Sequence, residues 1–539
     1  MPIQNDQSHL VNTVVTPVKP DRLYYYLRGY SDFHRNLLVS GFKFGFKIHN
    51  LVFHHVDGDL NSKSACIAPE IVDQKISKEC NAGRVMGPLL SSPFEKFVIS
   101  PLGLRAKKQP GEYRVIHNLS HPFGKSVNDG IPTEFSTVQY ATVSDAISHI
   151  LSFGKNCFMA KTDIKSAYRI VPIHPSDQKL LGFKWRGNYY FDKCLPMGCS
   201  SSCKIFETFS TALEWIISQK LTNVKVIHVL DDFLFIAPTF QLCQSALDLF
   251  IQIYADIGVP LAPDKTEGPS NVISFLGIEL DTINMLASLP QDKVDKFLVI
   301  IHEFLTARSA TLKKIQSLCG MLNFACSIIL PARAFTRSLY NLQIGLKQHY
   351  YRAKITKSVK QDLSVWKEFL IGYNHKTFFL DFKWQSTESL CLYSDSASTI
   401  GFGAVFQNQW LFGLWHESCL RRNIALLELY PIVLAFHIWG KQFANRCLII
   451  RTDNQAVMHI LNSFTSKDRD IMILVRKLVL ILMQYNILIK SIHLSGKLNI
   501  LCDLISRNQV QKALELYPNL NKEPVSIPQH MLLEQWLQD

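Results

Sequence analysis

A chain of 539 residues has room for several domains of about 100 to 200 residues each, and its 47% hydrophobic content can fill their cores. The 57 Lys and Arg outnumber the 44 Asp and Glu to leave +13, a charge that favours a polyanionic partner through phosphate contacts and counterion release. The 13 cysteines are scattered and odd in number, with Cys194, Cys199 and Cys203 clustered but no C-x-x-C pair, which argues against a zinc module and for buried thiols in a reducing compartment.

The N-terminus, M-P-I-Q-N-D-Q-S-H-L, has no apolar signal core. Further along, F-M-A-K-T-D places Asp163 at or near the end of an apolar strand. The runs V-K-V-I-H-V-L and F-L-F-I-A are β-branched and aromatic enough to form a hairpin, with Asp231 and Asp232 at its tight turn. Three carboxylates brought together repel one another, and hard divalent cations, which prefer oxygen ligands, resolve that repulsion. This layout resembles the metal cradle of a palm-type polymerase. An isolated Asp-Asp pair is more often a solvated turn, so the surrounding order has to decide.

The segment T-L-K-K-I-Q-S-L-C-G-M-L-N-F-A-C spaces its apolar residues as a helix, with Lys313 and Lys314 on the other side. It fits both a thumb helix lying against nucleic acid and an ordinary amphipathic core helix. A connector spans 350–387. The run I-M-I-L-V-R-K-L-V-L-I-L-M-Q-Y-N-I-L-I is broken by Arg476, Lys477, Gln484 and Asn486, so it reads as a buried helix followed by a strand. A membrane span would need about 20 mostly apolar residues. The Pro-containing tail after Asn508 is expected to be peripheral.

From Met86 to Leu280 the chain resembles a reverse transcriptase. The resemblance rests on S-P-L-G-L-R-A-K-K-Q-P-G-E-Y-R-V-I-H-N-L-S, K-T-D-I-K-S-A-Y, L-P-M-G-C-S-S-S-C-K-I-F, V-L-D-D, P-D-K-T-E-G-P and F-L-G-I-E-L-D, in the family's order. It implies that Asp163, Asp231 and Asp232 hold two Mg²⁺ ions, with Mn²⁺ as the alternative. Lys107 and Arg114, on a finger hairpin around Gly111, match the cationic pair over the incoming triphosphate. Tyr168 matches the ring under the sugar, which leaves no room for a 2′ hydroxyl and so selects deoxynucleotides. Met197 and Gly198 stand in the nucleotide-binding L-P-M-G loop, and Lys265 matches a proton donor to pyrophosphate. Val229 and Met197 depart from the aromatic residue and the Gln that retroviral relatives carry, which bears on fidelity and nucleotide affinity and leaves the metal ligands untouched.

A second acid set resembles ribonuclease H. L-Y-S-D-S-A-S-T-I-G-F-G-A-V-F offers Asp395, I-A-L-L-E-L-Y-P-I-V-L-A-F offers Glu428 near a helix start, and L-I-I-R-T-D-N-Q-A-V-M offers Asp453. I-H-L-S-G-K-L-N-I-L-C-D-L-I-S-R adds Asp503 and His493. The family's four acids hold two Mg²⁺ ions against the RNA strand of an RNA/DNA hybrid, recognised partly through its 2′ hydroxyl. His493 matches a mobile general acid of some relatives, and a structural His at a strand end fits equally well. Pro431 is tolerable there if the helix is just beginning.

The expected fold is therefore α/β and multidomain. A right-hand palm-type polymerase of fingers, palm and thumb would be followed by a C-terminal ribonuclease H-like mixed-sheet domain. The expected boundaries are 1–85 lead-in, 86–285 fingers and palm, 286–349 thumb, 350–387 connector, 388–508 ribonuclease H and 509–539 tail. Expected partners are an RNA template, a DNA primer, an RNA/DNA hybrid and deoxynucleoside triphosphates, with no membrane. The lead-in G-F-K-F-G-F-K-I and the segment N-S-K-S-A-C-I-A-P-E-I-V-D-Q-K-I resemble DIRS-type retrotransposons, next gypsy-type. A DIRS-type origin implies a separate tyrosine recombinase and particle protein, and a cytoplasmic, particle-bound or nuclear site of action. Two other classes compete: a catalytically inactive or host-adopted nucleic-acid-binding derivative, and an RNA-directed RNA polymerase, against which Tyr168 and the appended nuclease argue.

Overall fold

The computed structural model describes residues 14–52, 60–106, 111–372, 377–379, 384–386, 392–493 and 499–538. The chain divides into two compact units, Met1–Phe275 and Leu276–Asp539.

The first unit begins with two helices, α1 (Pro20–Tyr26) and α2 (Asp32–Phe44). Their apolar residues recur at helical spacing, and Leu23, Leu27, Leu38 and Phe42 enter the same core as the palm. The lead-in is thus built into this unit. Helix α3 (Pro69–Asn81) packs its buried Val72 and Ile76 against the finger strands. Those strands are β1 (Val85–Leu89), the hairpin β2 (Leu102–Ala106) and β3 (Tyr113–His117), and, further along the chain, β5 (Gly182–Trp185) and β6 (Asn188–Asp192).

The palm sheet has the order β7-β8-β4-β9, from β4 (Phe158–Asp163), β7 (Lys225–Val229), β8 (Asp232–Ala237) and β9 (Glu267–Ser270). Strand β8 is buried at every position after Asp232, as a central strand covered on both faces requires. Three helices belong with this sheet: α4 (Val143–Phe153), whose Thr142 and Asp145 form a capping box, α5 (Ser202–Ser218) and α6 (Phe240–Ile257). Phe206, Phe209, Leu213, Phe233, Phe235, Phe250 and Tyr254 form the centre of the core between sheet and helices.

The second unit opens with the hairpin β10 (Ile278–Asp281) and β11 (Leu286–Ser288), followed by helices α7 (Gln291–Thr306) and α8 (Leu312–Ala325). Helix α8 buries Leu312, Ile315, Leu318 and Leu322 and leaves Lys313 and Lys314 exposed, with Lys314 paired to Glu303 at 3.3 Å. Helix α9 (Lys357–Gly372) lies in the connector, where Asp362, its side chain 3% exposed, accepts from Arg476 at 2.7 Å.

A mixed β-α segment follows. Strands β12 (Leu392–Ser396), β13 (Gly401–Phe406) and β14 (Gln409–Leu414) form an antiparallel meander. Helix α10 (Ile424–Trp439) leads to β15 (Cys447–Thr452), which pairs in parallel with β16 (Leu488–His493) after helices α11 (Gln455–Ser463) and α12 (Arg469–Gln484). Helix α13 (Ile500–Ser506) closes the set.

Three details differ from the sequence expectations. Helix α10 begins at Asn423, its N-cap, so Pro431 lies inside it rather than at its start. There the helix forgoes one backbone N–H and is held by the packing of a nearly all-buried surface. Ile424–Phe443 is also long and apolar enough to cross a membrane, although most of it is buried in this unit. The tail is not peripheral: Trp536 is 3% exposed beside His437, and Tyr430 Oη donates to the Met531 carbonyl at 3.0 Å.

Candidate active sites

The antiparallel register of β4 and β8 sets Asp163 directly opposite Asp232, and the β7–β8 register sets Val229 opposite Asp232 across a two-residue turn. That turn is Leu230–Asp231, so all three predicted acids meet at one end of the palm sheet. Leu230 holds φ at +55°, a conformation that costs a branched residue on the order of 1–3 kcal/mol and persists only when its surroundings impose it.

The acids crowd one another. Burial and the charge of Asp163 push the Asp231 carboxyl up. Partial burial of the Asp232 carboxyl, its hydrogen bond with Asp163 and the charge of Asp231 push that group up to about 7, although the residue is open to solvent on one side. Lys265 Nζ lies 2.6 Å from Asp163 Oδ2; burial pushes the ammonium's pKa down, but that bond and the charges of the three acids outweigh it and raise it above the ordinary value. With Lys265 in place the acids are not gathered as a coordination shell, and among the described residues no group of three or more His, Cys, Asp and Glu is arranged to hold a metal ion.

Around this cluster lie the other predicted residues. Arg114, on β3, is close enough for its charge to act on Asp231. Lys107 lies outside the described residues. Tyr168 Oη meets Cys203 Sγ at 3.1 Å, and its ring packs edge-on against Phe206 at 5.5 Å. Burial, with Cys203 adding to it, pushes the phenol well above its ordinary value, so the ring stays neutral. Gly198 takes φ +128°, and a Cβ there would come within 2.0 Å of the His117 carbonyl oxygen, so only glycine fits. His117 N also donates to the Met197 carbonyl at 3.2 Å, which ties the L-P-M-G loop to the end of β3.

Several supporting residues were not singled out from the sequence. Asn128 donates from Nδ2 to the Gly198 carbonyl at 2.8 Å and accepts from Ser200 N at 2.9 Å, bracing both sides of that loop. Behind it is a buried ionic network. Arg169 bonds Asp192 at 2.7 Å and Glu79 at 2.8 Å, and Asp192 also meets His117 Nδ1 at 3.0 Å. Burial pushes Asp192 up, but Arg169 and His117 outweigh it and hold the carboxyl below the usual range. A cavity of about 200 Å³ borders this network and is lined also by Arg114 and Met197. The only local signal in the sequence is Arg169 directly after Tyr168.

The second acid set converges in the second unit. Asp395 lies on β12 opposite Gly403, Glu428 on α10, Asp453 just after β15 and Asp503 on α13. Burial pushes Asp395 up against a 2.7 Å hydrogen bond from Ser506 Oγ, with Asp503 and Asp453 adding to the rise. Burial, Asp395 and Asp453 push Glu428 up to about 8. Asp503 is paired with Arg507 at 2.7 Å. His493, at the end of β16 opposite Thr452, is exposed and donates from Nε2 to the Asp453 carbonyl at 3.0 Å. Ser506 was missed, though its D-L-I-S spacing puts it one helical turn from Asp503.

A finger hairpin, a four-stranded palm bearing paired acids at its turn and a following mixed-sheet unit together define an α/β right-hand polymerase fold. Comparison with known proteins narrows the class. Residues 106–280, about a third of the chain, match the family described as "Reverse transcriptase (RNA-dependent DNA polymerase)". Protein P of duck hepatitis B virus (strain China) is 28% identical over 203 residues, 38% of this chain and 24% of that protein. The putative enzymatic polyprotein of cassava vein mosaic virus is 22% identical over 366 residues, 65% of this chain and 52% of that protein. The chain therefore spans between about a quarter and a half of the length of these relatives. Among solved structures, the foamy viral protease-reverse transcriptase dRH in complex with double-stranded DNA superposes with a TM-score of 0.50 at 14% identity, covering 91% of this chain and 84% of that one.

Proposed function

We propose that this protein is an RNA-directed DNA polymerase with ribonuclease H activity, which copies a retroelement's RNA into DNA and degrades the RNA strand of the resulting hybrid. The observation that carries this reading is Asp163 facing Asp232 across β4 and β8, with Asp231 on the joining turn, inside the reverse transcriptase segment.

The chemistry of the donors suits divalent cations, although the described side chains as placed do not form a coordination shell. Both acid sets offer only oxygen donors, and the raised Asp231, Asp232, Asp395 and Glu428 carboxyls carry a repulsion that a cation would relieve. Asp163, Asp231 and Asp232 would hold Mg²⁺, or Mn²⁺, in the polymerase site, and Asp395, Glu428, Asp453 and Asp503 in the nuclease site. Bound there, such ions would supply Lewis acidity and an activated nucleophile. Arg114, with Lys107, offsets triphosphate charge. The Tyr168 ring, fixed by Cys203 and Phe206, fills the space a 2′ hydroxyl would need. Lys265 carries a proton at Nζ beside Asp163, within reach of a leaving pyrophosphate as general acid. His493 would have to leave the Asp453 carbonyl before it could donate a proton to a leaving group.

The substrates on this reading are an RNA template, a DNA primer, an RNA/DNA hybrid and deoxynucleoside triphosphates. The lead-in favours a DIRS-type element, which brings a separate tyrosine recombinase and a particle protein as partners and an intracellular place of action. Primer extension on an RNA template with deoxynucleotides and Mg²⁺ tests the polymerase. Product from the parent and none from Asp231→Asn plus Asp232→Asn supports it, while template-primer binding without extension across metals and primers favours a binding protein. Loss of labelled RNA from a hybrid, abolished by Asp395→Asn, tests the nuclease.

A further inference from the structure

The acid-bearing turn is anchored from beneath by residues that the site described above does not use. Leu230, at φ +55°, donates its backbone N–H to Glu207 Oε2 at 3.2 Å. Glu207 lies on α5, with its side chain 12% exposed. Its other oxygen, Oε1, sits 3.3 Å from His228 Nε2 on β7. His228 Nδ1 makes a second, short contact with Glu214, two turns further along and on the same side of α5. The imidazole also stacks on Phe233, the residue after Asp232, with ring centroids 5.3 Å apart. The charged cluster therefore reaches the hairpin before the turn through His228, at the turn through Leu230, and after it through Phe233.

A buried ion pair that only joined β7 to α5 would need His228 and one glutamate. It would not need a carboxylate oxygen aimed at the amide of the one turn residue with positive φ. Burial would push His228 down, yet the two glutamates outweigh it and raise the ring to about 9, so the cation persists at neutral pH. We propose that Glu207 is a positioning residue: held by His228, with Glu214 as its counterweight, it fixes Leu230 in the left-handed conformation that presents Asp231 and Asp232 to the nucleotide. This deepens the polymerase reading and rests on it for its consequence, though not for the geometry of the tie.

The experiment combines hydrogen exchange in the 226–234 segment with steady-state primer extension, on the full chain. Glu207→Gln keeps an acceptor for the Leu230 amide and should stay within a few-fold of the parent in both. Glu207→Ala should speed exchange at the turn at least tenfold and lower kcat at least tenfold, with the nucleotide KM and template-primer affinity unchanged. Adding Leu230→Gly to Glu207→Ala should recover much of kcat, since glycine adopts positive φ without an anchor. A purely structural ion pair would show no such rescue. Unchanged exchange in Glu207→Ala, or full activity without Glu207, overturns the proposal. If the parent extends no primer, the polymerase reading fails, while the exchange comparison still decides whether Glu207 holds the turn. Should Glu207→Ala not fold, the same comparison between Glu207→Gln and Leu230→Gly decides it, and turn exchange in Glu207→Gln as fast as in Leu230→Gly overturns the tie.

Discussion

Arg169→Met cuts the network behind the L-P-M-G loop at its centre. In the parent, the guanidinium bonds Asp192 and Glu79 and donates to the Cys194 and Leu195 carbonyls, each at 3.2 Å. Met fills part of the volume but leaves Asp192, 5% exposed, with His117 as its remaining side-chain partner. Glu79 keeps Arg84 at 2.7 Å, so most of the loss falls on Asp192. Removing one partner of a buried pair costs about 3–5 kcal/mol, because the other charge stays desolvated. Native-state hydrogen exchange of segments 84–117 and 164–195 should report that loss as a lower opening free energy. Asp192→Asn added to Arg169→Met should recover about half of it, since the stranded charge is gone. His117 also donates to the Met197 carbonyl, so the single variant should raise the nucleotide KM while leaving template-primer affinity near the parent's. A loss below about 1 kcal/mol, or a double variant no better than the single, would refute the argument that this network is an interdependent charged unit.

Glu428→Gln should stabilise the second unit in EDTA at alkaline pH. The folded carboxyl is pushed up to about 8, above its unfolded value, so parent stability falls as pH rises from about 5 through 8, by on the order of 5 kcal/mol, whereas Gln stays flat. Parallel thermal unfolding curves at pH 6 and 9 for parent and variant would contradict this. Gly198→Ala places a Cβ against the His117 carbonyl and strains φ by about 1–3 kcal/mol. It should raise the nucleotide KM at least tenfold, and unchanged single-nucleotide kinetics would show that the loop does not carry the nucleotide. Tyr168→Ala should let the polymerase incorporate ribonucleotides at least tenfold better, and a ribonucleotide-to-deoxynucleotide ratio equal to the parent's would dismiss the steric gate.

The sequence displayed what local pattern encodes. The β7–β8 hairpin was legible because V-K-V-I-H-V-L and F-L-F-I-A are β-branched and aromatic runs around an Asp pair, and its register then fixes which acids meet. Less legible was whatever depends on distant packing. Pro431 argued for a helix just beginning, but the burial of Leu427, Leu429, Tyr430 and Ile432 sustains the helix through the proline. The apolar residues of α1 and α2 announce two helices but not which core they join; that is set by distant packing such as Phe42 against Phe209. The tail contributes through buried Trp536 and Leu533 and through backbone groups such as the Asn521 carbonyl, which accepts from Trp410 Nε1, and none of these is signalled by a local pattern. Arg169, Glu79, Asp192 and His117 come from segments scattered over more than 100 residues, as do Asp163 and Lys265, and no spacing rule links them.

That difference follows the physics of the two kinds of residue. Asp163, Asp231, Asp232, Asp395 and Asp453 stand on strands, at strand ends or at a turn, and strand periodicity makes such a place readable from one short segment. A residue that fixes the acid's backbone, as Glu207 is proposed to do for Leu230, needs only to reach one amide from another element. Its address is set by how α5 crosses the sheet. Its substitution should therefore alter turnover more than binding.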